Sequence, residues 1–219
     1  MRAPLAIATG AAAWCVPAPA AHAPALARAL GIELTLPLDV PHLTFDDGPH
    51  PQATPLVLEL LREHALTATF FLVGEQVRRT GALRDEIEAA GHDIALHGDT
   101  HRTLIRLTPR MLRADLDRGA ETVRPTTALH RAPYGAYSLG ALREVRRRGW
   151  KPLLWTRWGR DWRASATAVQ IARDVTRDLG AGDVLLLHDA DNYSAPGSWR
   201  ATVAALPAVL EAISAASGR

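Results

Sequence analysis

The sequence predicts an α/β fold in which parallel strands alternate with helices and curl toward a barrel. From about residue 40 onward, short β-like runs alternate with amphipathic helical stretches, the order expected of a parallel sheet. Six or seven such units occur without a Gly-rich phosphate fingerprint, which favours a barrel over a doubly wound nucleotide fold. Acids, histidines and one arginine also recur where the strands end.

Taken in order, the strands are expected at Leu43 to Phe45, Ala68 to Val73, Asp93 to Leu96, Leu129 to Arg131, Pro152 to Trp155 and Val184 to Leu187. Each is a short run bounded by Gly, Pro or charged residues. The helices are expected at Pro55 to His64, Leu83 to Ala90, Pro109 to Val123, Leu139 to Arg148, Ala166 to Leu179 and Thr202 to Ile213. They carry apolar residues at three and four spacing, with arginines and acids on the other face. Thr108 ahead of Pro109 has the form of an N-cap followed by proline in the first helical turn.

A chain of 219 residues that is 47% hydrophobic buries one substantial core, so one domain is assigned to residues 40–219. The formal charge is +2 and Lys151 is the only lysine, which gives no electrostatic case for a nucleic-acid partner. Cys15 is the sole cysteine, so an intramolecular disulfide and a thiolate zinc cluster are both excluded. Residues 1–39 form an Ala- and Pro-rich N-terminal segment. Within it, residues 1–23 end in Ala21-His22-Ala23, the small-x-small pattern of a signal-peptidase site. Against export stand the single positive charge of Arg2 and the prolines Pro4, Pro17 and Pro19. If residues 1–23 are a signal peptide, the protein is secreted or held at the cell envelope; otherwise it is cytoplasmic. No apolar run approaches bilayer-spanning length, and no protein partner is inferable.

Asp46 and Asp47 follow the first strand, His97 the third, Arg131 ends the fourth, and His188 and Asp189 follow the last. In a parallel barrel those ends converge on one face, where active sites are built. An Asp-Gly-Pro turn alone would be ordinary turn chemistry; the convergence argues for more. His97 and His101 are four apart, so one helical turn over that segment would set both imidazoles on one side to share an ion. Asp47 can complete a two-histidine, one-carboxylate set. Because neighbouring side chains diverge, one of the two acids can bind metal while the other faces water. An iron oxygenase uses a similar triad, but it needs no second acid, arginine partner or distant His-Asp element.

The runs Thr44-Phe45-Asp46-Asp47-Gly48-Pro49, His97-Gly98-Asp99-Thr100-His101, Arg131-Ala132-Pro133-Tyr134, Asp161-Trp162 and Leu185-Leu186-Leu187-His188-Asp189 resemble, in order and spacing, the five motifs of the NodB-like polysaccharide deacetylases, the family 4 carbohydrate esterases. The resemblance spans residues 43 to about 213. It implies a distorted (β/α) barrel with fewer than eight complete units. It also implies hydrolysis of acetamido groups on an N-acetylated carbohydrate, and one divalent ion, zinc first, with cobalt, nickel or ferrous iron as alternatives. By the same resemblance Asp47, His97 and His101 hold the metal, Asp46 is the base, Arg131 keeps Asp46 ionised and oriented, and His188 protonates the departing amine while Asp161 keeps it charged. The backbone N–H of Tyr134 serves the oxyanion, and Trp162 and Leu186 receive the acetyl methyl.

The chain departs from the family pattern at two places. Gly98 stands where Ser or Thr is more frequent, so a hydrogen bond behind the metal ligands is either missing or supplied by Asp99. His130 takes an aromatic position before Arg131, where it either packs or lines the cleft. His22, His42, His50, His64 and His92 lack motif support and are read as structural or solvated. The aromatic-rich stretches 155–162 and 191–199 are read as either sugar-stacking surfaces or loop packing. The absence of a carbohydrate-binding module or long insertion suggests a short or open cleft for small N-acetylglycosides or cell-wall fragments.

Overall fold

The computed structural model describes residues 15–218. Its centre is a sheet of seven parallel strands: β1 (His42–Asp46), β2 (Ala68–Val73), β3 (Asp93–Gly98), β4 (Leu129–His130), β5 (Lys151–Pro152), β6 (Arg157–Trp158) and β7 (Val184–His188). The spatial order is β5-β4-β3-β2-β1-β7-β6, and each pairing is parallel. The helices are α1 (Pro24–Ala29), α2 (Ala53–Glu63), α3 (Gly74–Thr80), α4 (Leu83–Ala89), α5 (Pro109–Val123), α6 (Leu139–Arg147), α7 (Ala168–Thr176) and α8 (Trp199–Ala216). The fold is therefore the distorted (β/α) barrel that the sequence predicts.

Strand alternation sorts the side chains into two layers. Leu43 and Phe45 of β1, Phe70 and Leu72 of β2 and Leu185 and Leu187 of β7 join the helices in the large core. Phe71, Ala95, Leu153 and Val184 form a smaller second cluster. Thr44 and Asp46 alternate with Leu43 and Phe45, and both reach the fully buried Arg131.

Element limits follow local chemistry. Thr108 caps α5 by accepting the Met111 N–H at 3.3 Å, with Pro109 filling the first turn. The strand expected over Pro152 to Trp155 is only Lys151–Pro152 long. Beyond it, Glu33 takes the place of a strand neighbour: its N–H donates to the Pro152 carbonyl at 2.9 Å and its carbonyl accepts from Leu154 N–H at 2.8 Å. Three further elements, α1, α3 and β6, have no counterpart among those expected from the sequence.

Residues 33–36 run along the open seam of the barrel. Glu33 bridges to Leu153, and Thr35 bridges to Asp183 at the foot of β7. Upstream of them, Ala20, Ala27 and Ile32 are buried in the main core. Part of the Ala- and Pro-rich segment therefore packs into the barrel, while residues 1–14 of the proposed export signal lie outside the described residues. No described helix is long and apolar enough to cross a membrane.

Candidate active site

At the C-terminal end of the sheet, β1 and β7 place Asp46 and His188 directly opposite each other in register. Asp47 follows Asp46 with φ 76°, which turns the chain and separates the two carboxylates. Gly48 is required by close approach, because a β-carbon there would collide with the Asp189 carboxylate. His97 comes from β3 by a different device. Leu72 pairs with Leu96 and Val73 with Gly98, so His97 is the extra residue of a bulge, which re-aims its side chain.

The helical turn expected over His97 to His101 does not form. His97 and Gly98 end the strand, Gly98 has φ 117°, and a bend carries the chain to His101. Asp115 on α5 holds the bend by accepting the N–H groups of Asp99 and Thr100 and the Thr100 hydroxyl. A side chain at Gly98 would press on the Thr100 carbonyl and Asp115 in a backbone region that disfavours one. The Asp99 carboxylate is engaged elsewhere, with Arg78 at 2.6 Å and Arg118 at 3.1 Å, so it does not replace a Ser or Thr hydroxyl at position 98.

The two histidines nevertheless converge. Asp47 Oδ1 lies 3.4 Å from His97 Nε2 and 3.1 Å from His101 Nε2, and the three ligand atoms fall within 4.8 Å of one another. A tetrahedral ion bonded at about 2.0–2.1 Å holds its donors about 3.4 Å apart, so the spacing suits one. His97 Nδ1 faces the Arg131 carbonyl at 2.9 Å, the outer hydrogen bond typical of a ligating imidazole. Asp47 Oδ1 is buried and has no hydrogen-bond donor among the described residues, the condition of an oxygen awaiting a cation. Burial alone would raise the Asp47 carboxyl, but the approach of His101 and His97, with the positive charge of His188, outweighs it and holds Asp47 far below the ordinary range.

Asp46 is anchored from behind. Arg131, wholly buried, donates from Nη1 to Asp46 Oδ1 at 2.7 Å and Thr44 Oγ1 at 2.8 Å. Its Nε and Nη2 reach the carbonyls of Leu153 and Leu154 at 3.2 and 2.8 Å. The guanidinium also lies over the Phe71 ring, 4.0 Å from its centroid. Four acceptors and an aromatic face fix one charge-assisted contact to Asp46.

His188 has a matching support. Asp161, 1% exposed, accepts the His188 N–H at 2.7 Å, pairs with His188 Nδ1 at 2.8 Å and takes the Thr202 hydroxyl at 2.8 Å. Burial works to lower the His188 pKa, but the Asp161 charge and hydrogen bond, with Asp47 and Asp46 beyond, raise it to about 10. Nε2 is left as the free end of the ring.

These groups line a cavity of about 400 Å³ with Tyr134, Trp158, Trp162, Leu186 and Tyr193 among its walls. Arg131 and Asp161 stand behind it as supports. Tyr134 has φ 61° and is 63% exposed. Trp162 meets the His188 ring edge-on at 5.6 Å. His130 does not line the cavity. It is buried against Tyr137, 3.0 Å from that hydroxyl, and burial pushes its pKa down to about 3.

Three further residues bear on the site. Tyr193 stacks on His101 with centroids 4.1 Å apart, while its hydroxyl is held by Glu75 and by Gln76 at 2.7 Å; the loop 191–199 is thus one wall of the site. Asp189, bonded to Thr54, is pushed up to about 7 by burial. His22, read as structural or solvated, lines the cavity beside Trp158. Asp189 is marked in the sequence by its place after the last strand and Tyr193 by its aromatic-rich stretch, whereas His22 has no spacing signal, because packing alone brings it to the site.

The polysaccharide deacetylase family model matches residues 35–153. A chitooligosaccharide deacetylase of Azorhizobium caulinodans is 31% identical over 185 residues, covering 80% of this chain and 88% of that one. A peptidoglycan-N-acetylglucosamine deacetylase of Bacillus cereus is 33% identical over 174 residues, covering 77% and 78% of the two chains. Among solved structures, a family 4 carbohydrate esterase from Streptomyces lividans in complex with acetate superposes with a TM-score of 0.72 at 28% identity, covering 82% of this chain and 90% of that one. With the site arranged as above, this chain belongs to the polysaccharide deacetylase family, the NodB-homology carbohydrate esterases of family 4, and is a hydrolase of that type.

Proposed function

We propose that the protein removes N-acetyl groups from an N-acetylated sugar, glycan or cell-wall fragment, releasing acetate and a free amine, with one divalent ion, zinc first, held by Asp47, His97 and His101. The observation that carries this reading is the placement of Asp46 and His188 side by side at the ends of adjacent strands, each braced from behind by a buried partner of opposite charge. The relatives named for chitooligosaccharide and peptidoglycan deacetylation support the choice of substrate class.

When bound, the ion supplies Lewis-acid polarisation of the amide and of water. The protein's own groups move the protons. Asp46, fixed by Arg131, takes a proton from the water that attacks the acetamide carbon. The Tyr134 N–H is assigned, on the family resemblance, to stabilise the oxygen on which negative charge collects. His188 then gives its Nε2 proton to the sugar nitrogen as the C–N bond breaks, and Trp162 and Leu186 enclose the methyl. Acetate and amine should appear in equal amounts from an N-acetylglucosamine oligomer, stop on chelation and return with added zinc; amine-free turnover or indifference to chelation would refute the assignment.

The acid group sets the alkaline limit. Against burial, Asp161 first and then Asp47 and Asp46 raise the His188 pKa to about 10, so Asp161→Asn removes the largest of these and moves the alkaline limb of kcat/KM to lower pH. A pH profile of the variant checks this, and an unmoved limb would remove Asp161 from its role.

A further inference from the structure

A second cavity, about 820 Å³ in volume, opens beside the reaction cavity. His22, Trp155 and Trp158 are walls of both, so the two cavities adjoin at these three side chains. One bank is the N-terminal segment, through His22, Arg28 and Glu33; the other is β6 and its approach, through Trp158 and Arg157, with Asp183 at the floor. The segment is firmly seated. The backbone of Glu33 is bonded to Pro152 and Leu154, Ala27 and Ile32 are buried, and Ala21 packs beside Gly135, where an added β-carbon would come within 3.0 Å of its methyl.

The chemistry of the groove suits a sugar. The His22 and Trp158 rings lie 5.2 Å apart at a 54° tilt and present aromatic surface to C–H faces. Beyond them the walls offer both acids and arginines, the mixture of donors and acceptors that ring hydroxyls require. Arg157 is held by Asp183 at 3.2 Å and by the Asp178 carbonyl at 2.7 Å, yet its buried Nε has no partner among the described residues.

We propose that this groove is a glycan subsite, built half by the N-terminal segment, which holds the sugars next to the one being deacetylated and uses His22 and Glu33 to favour longer chains. The proposal rests on the deacetylase reading. The three walls shared with the reaction cavity point to the same glycan chain as the occupant. Cleavage after Ala23 would remove the His22 wall, so the proposal requires an enzyme that keeps this segment.

The test compares kcat/KM for acetate release from the N-acetylglucosamine tetramer and dimer. A tetramer fills the groove in registers where a dimer leaves it empty. The tetramer-to-dimer ratio should fall about tenfold in His22→Ala, equivalent to about 1.4 kcal/mol, and severalfold in Glu33→Ala, which leaves the backbone bonds of Glu33 in place. His22→Phe keeps an aromatic face and should hold the ratio within about twofold of wild type. A ratio unmoved by both alanine variants overturns the subsite while leaving deacetylation standing. Failure of the wild type to release acetate from either oligomer overturns the deacetylase reading, and the subsite with it.

Discussion

Asp46→Asn is expected to lower kcat by about a hundred- to ten-thousand-fold, the range of a lost general base, with little change in fold. The isosteric amide still accepts from Arg131 at the position of Oδ1, so the buried guanidinium keeps a partner. It cannot take a proton from water at neutral pH. KM should change little, because Asp46 contributes to the proton-transfer step and the sugar is held by other walls. Initial rates of acetate release, with circular dichroism to verify folding, check this; a variant retaining a tenth or more of wild-type turnover would show that another group is the base.

Arg131→Met carries the second large effect, and it acts on stability as well as rate. The hydrogen bond that fixes Asp46 comes from a guanidinium with no solvent exposure. Removing it strands a buried carboxylate together with the carbonyls of Leu153 and Leu154. Breaking a buried ion pair by deleting one partner costs about 3–5 kcal/mol, which denaturant unfolding would register as a lower midpoint. The cost should shrink when Arg131→Met is made in an Asp46→Asn background, because the stranded group is then neutral. Equal losses in the two backgrounds would mean that Arg131 stabilises the barrel through its carbonyl bonds and the Phe71 ring alone.

Much of the barrel was legible because its elements are long or strongly patterned. β2 is buried at all six positions and reads as an uninterrupted apolar run; α5 begins at a Thr-Pro cap and keeps its apolar spacing to Val123. Short elements were not. β6 is two residues long within a stretch of tryptophans and arginines, where no alternation can show. α3 starts at Gly74 directly from the end of β2, with no separating turn. The site divides similarly. Asp46, Asp47, His97, His101 and His188 were placed by their positions at strand ends and by the family motifs. The local route to His97 and His101 was misjudged, because spacing of four suggests a helix while a bulge and a glycine bend reach the same convergence. Tyr193 and His22 arrive from loop and N-terminal packing, which leaves no periodic trace in the chain.

The division of labour between two adjacent aspartates is the central claim, and metal content measures it most directly. Purified Asp46→Asn and Asp47→Asn, equilibrated at the same low free zinc and assayed for bound metal, should differ. Asp46→Asn keeps the wild-type amount because Asp47, His97 and His101 are untouched. Asp47→Asn loses most of it, since it removes the only anionic ligand of the set, and regains activity in part when zinc is raised. Metal lost from Asp46→Asn and retained by Asp47→Asn would contradict the account and exchange the two roles.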